Sequence, residues 1–77
     1  MNFIIGTREI VKKIEKGLIE KVVIAENIPE KLKEKIETAA KKYNVKIETD
    51  GNERQLGTKI GKSFPVASVG YYKKEDS

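Results

Sequence analysis

The sequence predicts an α/β domain in which strands alternate with helices, and three observations carry that prediction. Short runs rich in β-branched and apolar residues recur at Phe3-Ile4-Ile5, Lys21-Val22-Val23-Ile24-Ala25, Val45-Lys46-Ile47-Glu48-Thr49 and Val66 to Tyr72. Between them lie segments whose apolar residues return at helical spacing. A glycine, asparagine or proline stands at every junction. The resulting order, β-α-β-α-β-α-β, argues for a mostly parallel sheet layered with helices.

Each element has its own justification. Phe3-Ile4-Ile5 stops at Gly6, which reads as a buried strand ending in a tight turn. Thr7 is placed to cap the helix that follows, and Gly17 to end it in the left-handed conformation. Ile10, Val11 and Ile14 mark the apolar face of that helix, while Arg8, Lys12 and Lys16, spaced by four, stack on another. The continuous apolar character of Lys21 to Ala25 suits a strand covered on both faces. Glu26-Asn27-Ile28 forms the exit turn and Pro29 fits the first turn of a second helix. Leu32, Ile36, Ala39, Ala40 and Tyr43 form its apolar stripe, and Asn44 its left-handed stop. Val45 to Thr49 alternates apolar and polar, as an edge strand with one solvated face does. Asp50-Gly51 is a turn, and Asn52 with Gln55 forms a capping box for a short helix bearing Leu56 and Ile60. Gly57 weakens that helix and Gly61 closes it. Lys62-Ser63-Phe64-Pro65 is a loop before the last strand, and the polar segment 73–77 is expected to fray.

Composition narrows the function. The 77 residues make one domain, 1–77, with 16 Lys+Arg against 12 Asp+Glu, a net charge of +4. Cysteine and histidine are both absent, which excludes disulfides and removes the usual ligands of zinc, haem and most transition metals. The same absences remove the commonest general base and the best nucleophile, so no catalysis, no cofactor and no metal are expected. No apolar run approaches the roughly 18 residues of a membrane span. The apolar opening is too short for a signal sequence, so a cytoplasmic protein without membrane partners is expected.

Two segments carry candidate chemistry. The first is Gly6-Thr7-Arg8-Glu9, with Lys12, Lys13 and Lys16 behind it. A helix start there offers free N–H groups and a positive dipole end to phosphate oxygens, and the cations add grip on a nucleic-acid backbone. Glu9 repels phosphate but accepts hydrogen bonds from a base edge. The plain alternative is a solvated basic helix face. The second segment is Lys62-Ser63-Phe64-Pro65, where an aromatic ring beside a stiffening proline offers a surface for stacking an unpaired base. Its alternative puts Phe64 in the core, closing the end of the sheet. Gly57 with Gly61-Lys62-Ser63 approaches a phosphate-binding loop, but its gap is one residue short and no helix follows, so a nucleotide-binding enzyme is a remote third reading. The acid pairs Glu34 with Glu37 and Glu26 with Glu30 read as solvated ion-pair partners of neighbouring lysines.

Three stretches match a known pattern in order and spacing: Ile5-Gly6-Thr7-Arg8-Glu9-Ile10-Val11-Lys12, Val22-Val23-Ile24-Ala25-Glu26-Asn27, and Gln55-Leu56-Gly57-Thr58 through Phe64-Pro65-Val66-Ala67-Ser68-Val69. On these residues the chain resembles the ribosomal protein 7Ae/30e family, whose members bind kink-turn RNA. The resemblance implies a three-layer α-β-α sandwich around a four-stranded mixed sheet. It also implies that Gly6, Thr7, Arg8, Glu9 and Lys12 approach the paired and backbone part of a sharply bent RNA. Phe64 and Pro65, flanked by Lys62 and Ser63, would then meet its flipped-out base. Arg8-Glu9 stands where many members carry Asn-Glu, so the contact of that Asn to a guanine edge does not carry over. The family usually opens with a helix that this chain is expected to lack, leaving a sheet face for a second protomer, ribosomal RNA or another protein. The implied partner is structured RNA (a kink-turn, ribosomal RNA or a guide RNA), and a protein-interaction module using the open face is the alternative. A Lys-, Glu- and Ile-rich chain without cysteine leans toward a thermophilic, archaeal-like source.

Overall fold

The computed structural model describes residues 2–74. They form β1 (Phe3–Ile5), α1 (Thr7–Glu15), β2 (Ile19–Ile24), α2 (Glu30–Lys42), β3 (Lys46–Thr49), α3 (Glu53–Lys59) and β4 (Ser68–Tyr72), the order the sequence predicts. The helices end by one device. At the end of α1, Gly17 turns left-handed (φ 74), and the Leu18 and Gly17 N–H groups donate to the Lys13 and Ile14 carbonyls at 3.0 and 2.9 Å. Asn44 (φ 57) ends α2 in the same way, with the Val45 N–H donating to the Ala40 carbonyl at 2.8 Å. These bonds satisfy carbonyls that a helix end otherwise leaves without partners. At the start of α3 the capping box forms as read: Asn52 Oδ1 accepts from the Gln55 N–H at 2.9 Å, and Gln55 Oε1 from the Asn52 N–H at 3.0 Å.

The start of α1 differs from the expectation. Gly6, at φ 100, occupies the capping position with no side-chain cap, and Thr7 is the first helical residue. The Thr7 hydroxyl lies instead 3.3 Å from the Ser68 hydroxyl at the start of β4. A long-range partner has replaced the local one. Strand bounds also move. β2 begins earlier, at Ile19, which pairs with Tyr72 through an irregularity in the register. β4 begins later, because the Val66 N–H is taken by the Glu53 carbonyl rather than by a neighbouring strand.

The sheet order is β1-β4-β2-β3. β1 pairs with β4 antiparallel, β4 with β2 antiparallel, and β2 with β3 parallel. The mostly parallel sheet argued from alternation is therefore corrected to a mixed one. β1, β2 and β3 do share a direction, but β4 inserts between β1 and β2 and turns both of its pairings antiparallel. Hydrophobic period locates strands; it carries no information on which strand lies beside which.

Right-handed crossovers from β1 to β2 and from β2 to β3 run the same way across the sheet, so α1 and α2 pack side by side on one face. There Gly70, in the middle of β4, lets α1 come close: a Cβ at Gly70 would meet Ile10 at 3.2 Å. Ile10, Ile14, Val22, Ile24 and Ile36 are buried around this contact. Ser68 is the only buried polar side chain among the described residues, and Thr7 satisfies it. α3 covers part of the other face, where its Lys59 pairs with Asp50. That face also carries Phe3, whose ring lies 6.1 Å from that of Tyr71, and Lys21, 3.2 Å from Glu48. Phe3, Ile5 and Tyr71 are only half-buried. Of the polar segment 73–77, Lys73 donates to the Leu18 carbonyl at 2.9 Å, and residues 75–77 lie outside the described residues.

Candidate nucleic-acid interface

Strand pairing brings the two candidate segments together. Ile5 pairs with Val69, so the residues just beyond it, Gly6 and Thr7, meet the chain entering β4, and the Thr7–Ser68 contact fastens them. The first bond of α1 runs from the Ile10 N–H to the Gly6 carbonyl at 2.9 Å, which leaves the N–H groups of Thr7, Arg8 and Glu9 without helical partners. This end of the sheet lies beyond the carboxyl ends of the parallel strands, where open α/β sheets form their crevices.

The loop before β4 is held at three points. The Lys62 N–H donates to the Gly57 carbonyl at 2.8 Å, the Val66 N–H to the Glu53 carbonyl at 3.0 Å, and the Ala25 N–H to the Ala67 carbonyl at 2.9 Å. The loop therefore leans on α3 and on the end of β2. Gly57 is essential to that seat: a Cβ there would stand 2.2 Å from the Phe64 carbonyl oxygen. From the sequence, Gly57 reads as a weak point of the helix, as part of the near-miss phosphate loop and as part of the family stretch, but not as the seat of the Phe64 loop. An isolated glycine in a helical pattern is also a signal of close backbone approach, and that signal was available. A second contributor escaped the sequence reading: Asn27 Oδ1 accepts from the Glu53 N–H at 3.0 Å and ties the turn after β2 to the start of α3.

With the loop seated in this way, Phe64 is 49% exposed, which overturns the alternative that buried it in the core. Ser63 and Pro65 beside it are exposed, and Lys62 is half-buried. Arg8 and Glu9 are exposed at the α1 start, and Arg8 and Lys12 line the groove between α1 and α2. Lys13 is half-buried. Lys16 caps the far end of α1, about 13 Å along the helix from Thr7. The fold thus joins Gly6, Thr7, Arg8 and Glu9 to Lys62, Ser63, Phe64 and Pro65 in one rim, places Lys12 a turn below, and holds Lys16 apart.

Among the described residues the ion pairs are Lys21–Glu48 and Lys59–Asp50, so no cation of the rim is neutralised by a paired carboxylate. The acids Glu34, Glu37, Glu26 and Glu30 are exposed and have no ion-pair partner among the described residues, which corrects their reading as paired groups. The phosphate-loop reading fails on geometry, since Gly57 to Lys59 lie inside α3 and the Phe64 carbonyl occupies the space beside Gly57. Among the described residues no group of acidic side chains could hold a metal, and no helix is long and apolar enough to cross a membrane.

These features define a small, basic α/β sandwich with an exposed aromatic loop beside a helix N-terminus. The chain belongs to the ribosomal protein L7Ae/L30e/S12e/Gadd45 family, whose model matches residues 1–77. It is 38% identical over 69 residues to large ribosomal subunit protein eL30 of Methanothermobacter thermautotrophicus, covering 88% of this chain and 70% of that protein. To eL30 of Archaeoglobus fulgidus it is 36% identical over 66 residues, covering 84% and 72%. These archaeal relatives agree with the leaning of the composition. Two solved structures share the fold. A protein of unknown function from Bacillus halodurans gives a TM-score of 0.88 at 22% identity, over 94% of this chain and 72% of that one. The Giardia lamblia 15.5kD RNA binding protein gives 0.81 at 21% identity, over 96% and 62%.

Proposed function

We propose that this protein binds structured RNA as a component of the large ribosomal subunit in the cytoplasm, and that it recognises and stabilises a kink-turn-like bend. One observation carries the reading: the free N–H groups at the start of α1 and the exposed Phe64 lie at the same end of the sheet, where the Thr7–Ser68 contact fastens the α1 start to the strand that the Phe64 loop enters. The names of the eL30 relatives support the ribosomal setting.

No reaction is performed. The α1 N-terminus, Arg8 and Lys12 offset phosphate repulsion where the RNA backbone bends, Glu9 accepts from a base edge, and Phe64 packs on the extruded base. Arg8 fits either a guanine edge or phosphate. Lys62, Ser63 and Pro65 shape the loop, and Lys13 and Lys16 add field at longer range.

A gel-shift titration against a kink-turn RNA and a matched straight duplex, at two salt concentrations, tests the proposal. Preference for the kinked RNA is the expected result, while equal, salt-sensitive binding to both would reduce the rim to a generic basic surface. The half-buried face bearing Phe3 and Tyr71 favours a second reading, a protein-docking module. That reading predicts no RNA binding at low salt.

A further inference from the structure

A groove of ≈ 1080 Å³ runs between α1 and α2. Because β1, β2 and β3 share a direction, both helices start at the rim end and run away from it side by side. Arg8 and Lys31 therefore open the groove next to the rim, Lys12 and Lys35 follow one turn on, and Lys42 lies toward the far end. The spacing places Arg8 with Lys12 on one face of α1, and Lys31, Lys35 and Lys42 on one face of α2. Val11, Leu32 and Ala39 form the apolar part of the lining, and Tyr43 is 39% exposed where it ends. The lining includes the carboxylates Glu15 and Glu34, and neither is ion-paired with these cations. Cations outnumber carboxylates along the whole groove.

We propose that this groove receives the phosphate backbone of an RNA stem that continues out of the bend held at the rim. The inference rests on the RNA-binding reading of the rim and extends it to a second contact track. From Lys31 to Lys42 the α2 row is about 16 Å long. Each of its three lysines can neutralise one phosphate of a strand lying along the groove. Cations without ion-pair partners among the described residues, flanking a groove that opens onto the rim, suit a polyanion. An apolar protein helix would have to bury those charges against itself.

The test is a fluorescence-anisotropy titration with a kinked RNA bearing short stems and with the same RNA having one stem lengthened by a helical turn. Wild type is compared with the triple variant Lys31→Gln, Lys35→Gln, Lys42→Gln across a salt series. Lengthening the stem should strengthen wild-type binding at least about tenfold and steepen the salt dependence by about 2–3, from roughly 0.9 per phosphate contact. The triple variant should lose both gains while keeping its affinity for the short RNA. Glu34→Gln should move the other way and strengthen binding of the long RNA, which a folding defect cannot mimic. Equal wild-type affinity for the two RNAs, or a triple variant that keeps the gain, overturns the groove assignment and leaves the rim reading intact. A wild-type protein that does not prefer the kinked RNA over a straight duplex overturns both.

Discussion

The two faces of the sheet are built on different principles. On one, α1 lays its apolar stripe over β1, β4 and β2 and α2 packs beside it over β3, and Ile10, Ile14 and Ile36 are fully buried there. On the other, the short α3 contributes Leu56 and is positioned by discrete contacts: the Asn52–Gln55 capping box, the bond from Glu53 to Asn27, and the seat of Phe64 on Gly57. The first face is stabilised by area removed from water, which is non-directional and tolerant of detail. The second depends on hydrogen bonds and one close approach, which are directional and intolerant of displacement. The exposed loop is carried by the second face. Stability and loop geometry are therefore separable in this molecule.

Substitutions graded by size sharpen that separation. Ile36→Ala, on the helical face, should cost about 2–5 kcal/mol in chemical denaturation and leave no altered loop in the residual folded protein. Gly57→Ala should cost about 1–3 kcal/mol through the clash with the Phe64 carbonyl. Unlike Ile36→Ala, it should also weaken RNA binding under conditions where the protein is fully folded. If Gly57→Ala binds RNA as well as wild type, the loop does not depend on its seat. Asn52→Ala removes half of the capping box and should cost about 1 kcal/mol, read as a lowered midpoint with an unchanged denaturant slope.

Two further changes should be smaller still in stability. Phe64→Ala should alter stability by no more than about 0.5 kcal/mol, because the ring is exposed. It should nevertheless weaken binding of kinked RNA by about 1–3 kcal/mol, measured by the same gel shift. A destabilised Phe64→Ala protein would return the ring to a structural role. The least effect belongs to Lys59, whose hydrogen bond to Asp50, together with the carboxylate's charge, raises its pKa above the ordinary lysine value. A raised folded-state pKa means that the contribution is present below the unfolded pKa and is lost as pH rises through the folded one. The small difference in melting temperature between wild type and Lys59→Met should accordingly persist at neutral pH and vanish in strongly alkaline buffer.

Much of this was legible beforehand because its causes are local. The left-handed stops at Gly17, Asn44 and Gly61, the capping box at Asn52 and the helical stripes each depend on residues a few positions apart. Both candidate segments were likewise visible as local chemistry, a glycine turn before a basic helix and an aromatic ring in a polar loop. What could not be read was anything set by a distant partner. Thr7 looked like a cap and instead faces Ser68, 61 positions away. Gly57 looked like a flaw in a helix and is the only residue type that admits the Phe64 carbonyl.

The sequence by itself determined the number, order and type of elements, the exclusion of thiol and imidazole chemistry, and the basic character of α1. Hydrophobic period, capping chemistry and charge count act within one element or over the whole chain, and none of them needs a fold to be expressed. The tertiary structure alone decided that β4 lies between β1 and β2, which made the sheet mixed and set Gly6 and Thr7 against the loop of Phe64. It also decided that α1 and α2 lie parallel with a cation-lined groove between them. Strand order and helix pairing are settled by which arrangement buries the most apolar surface with every backbone group bonded, a property of the whole chain that no short segment contains.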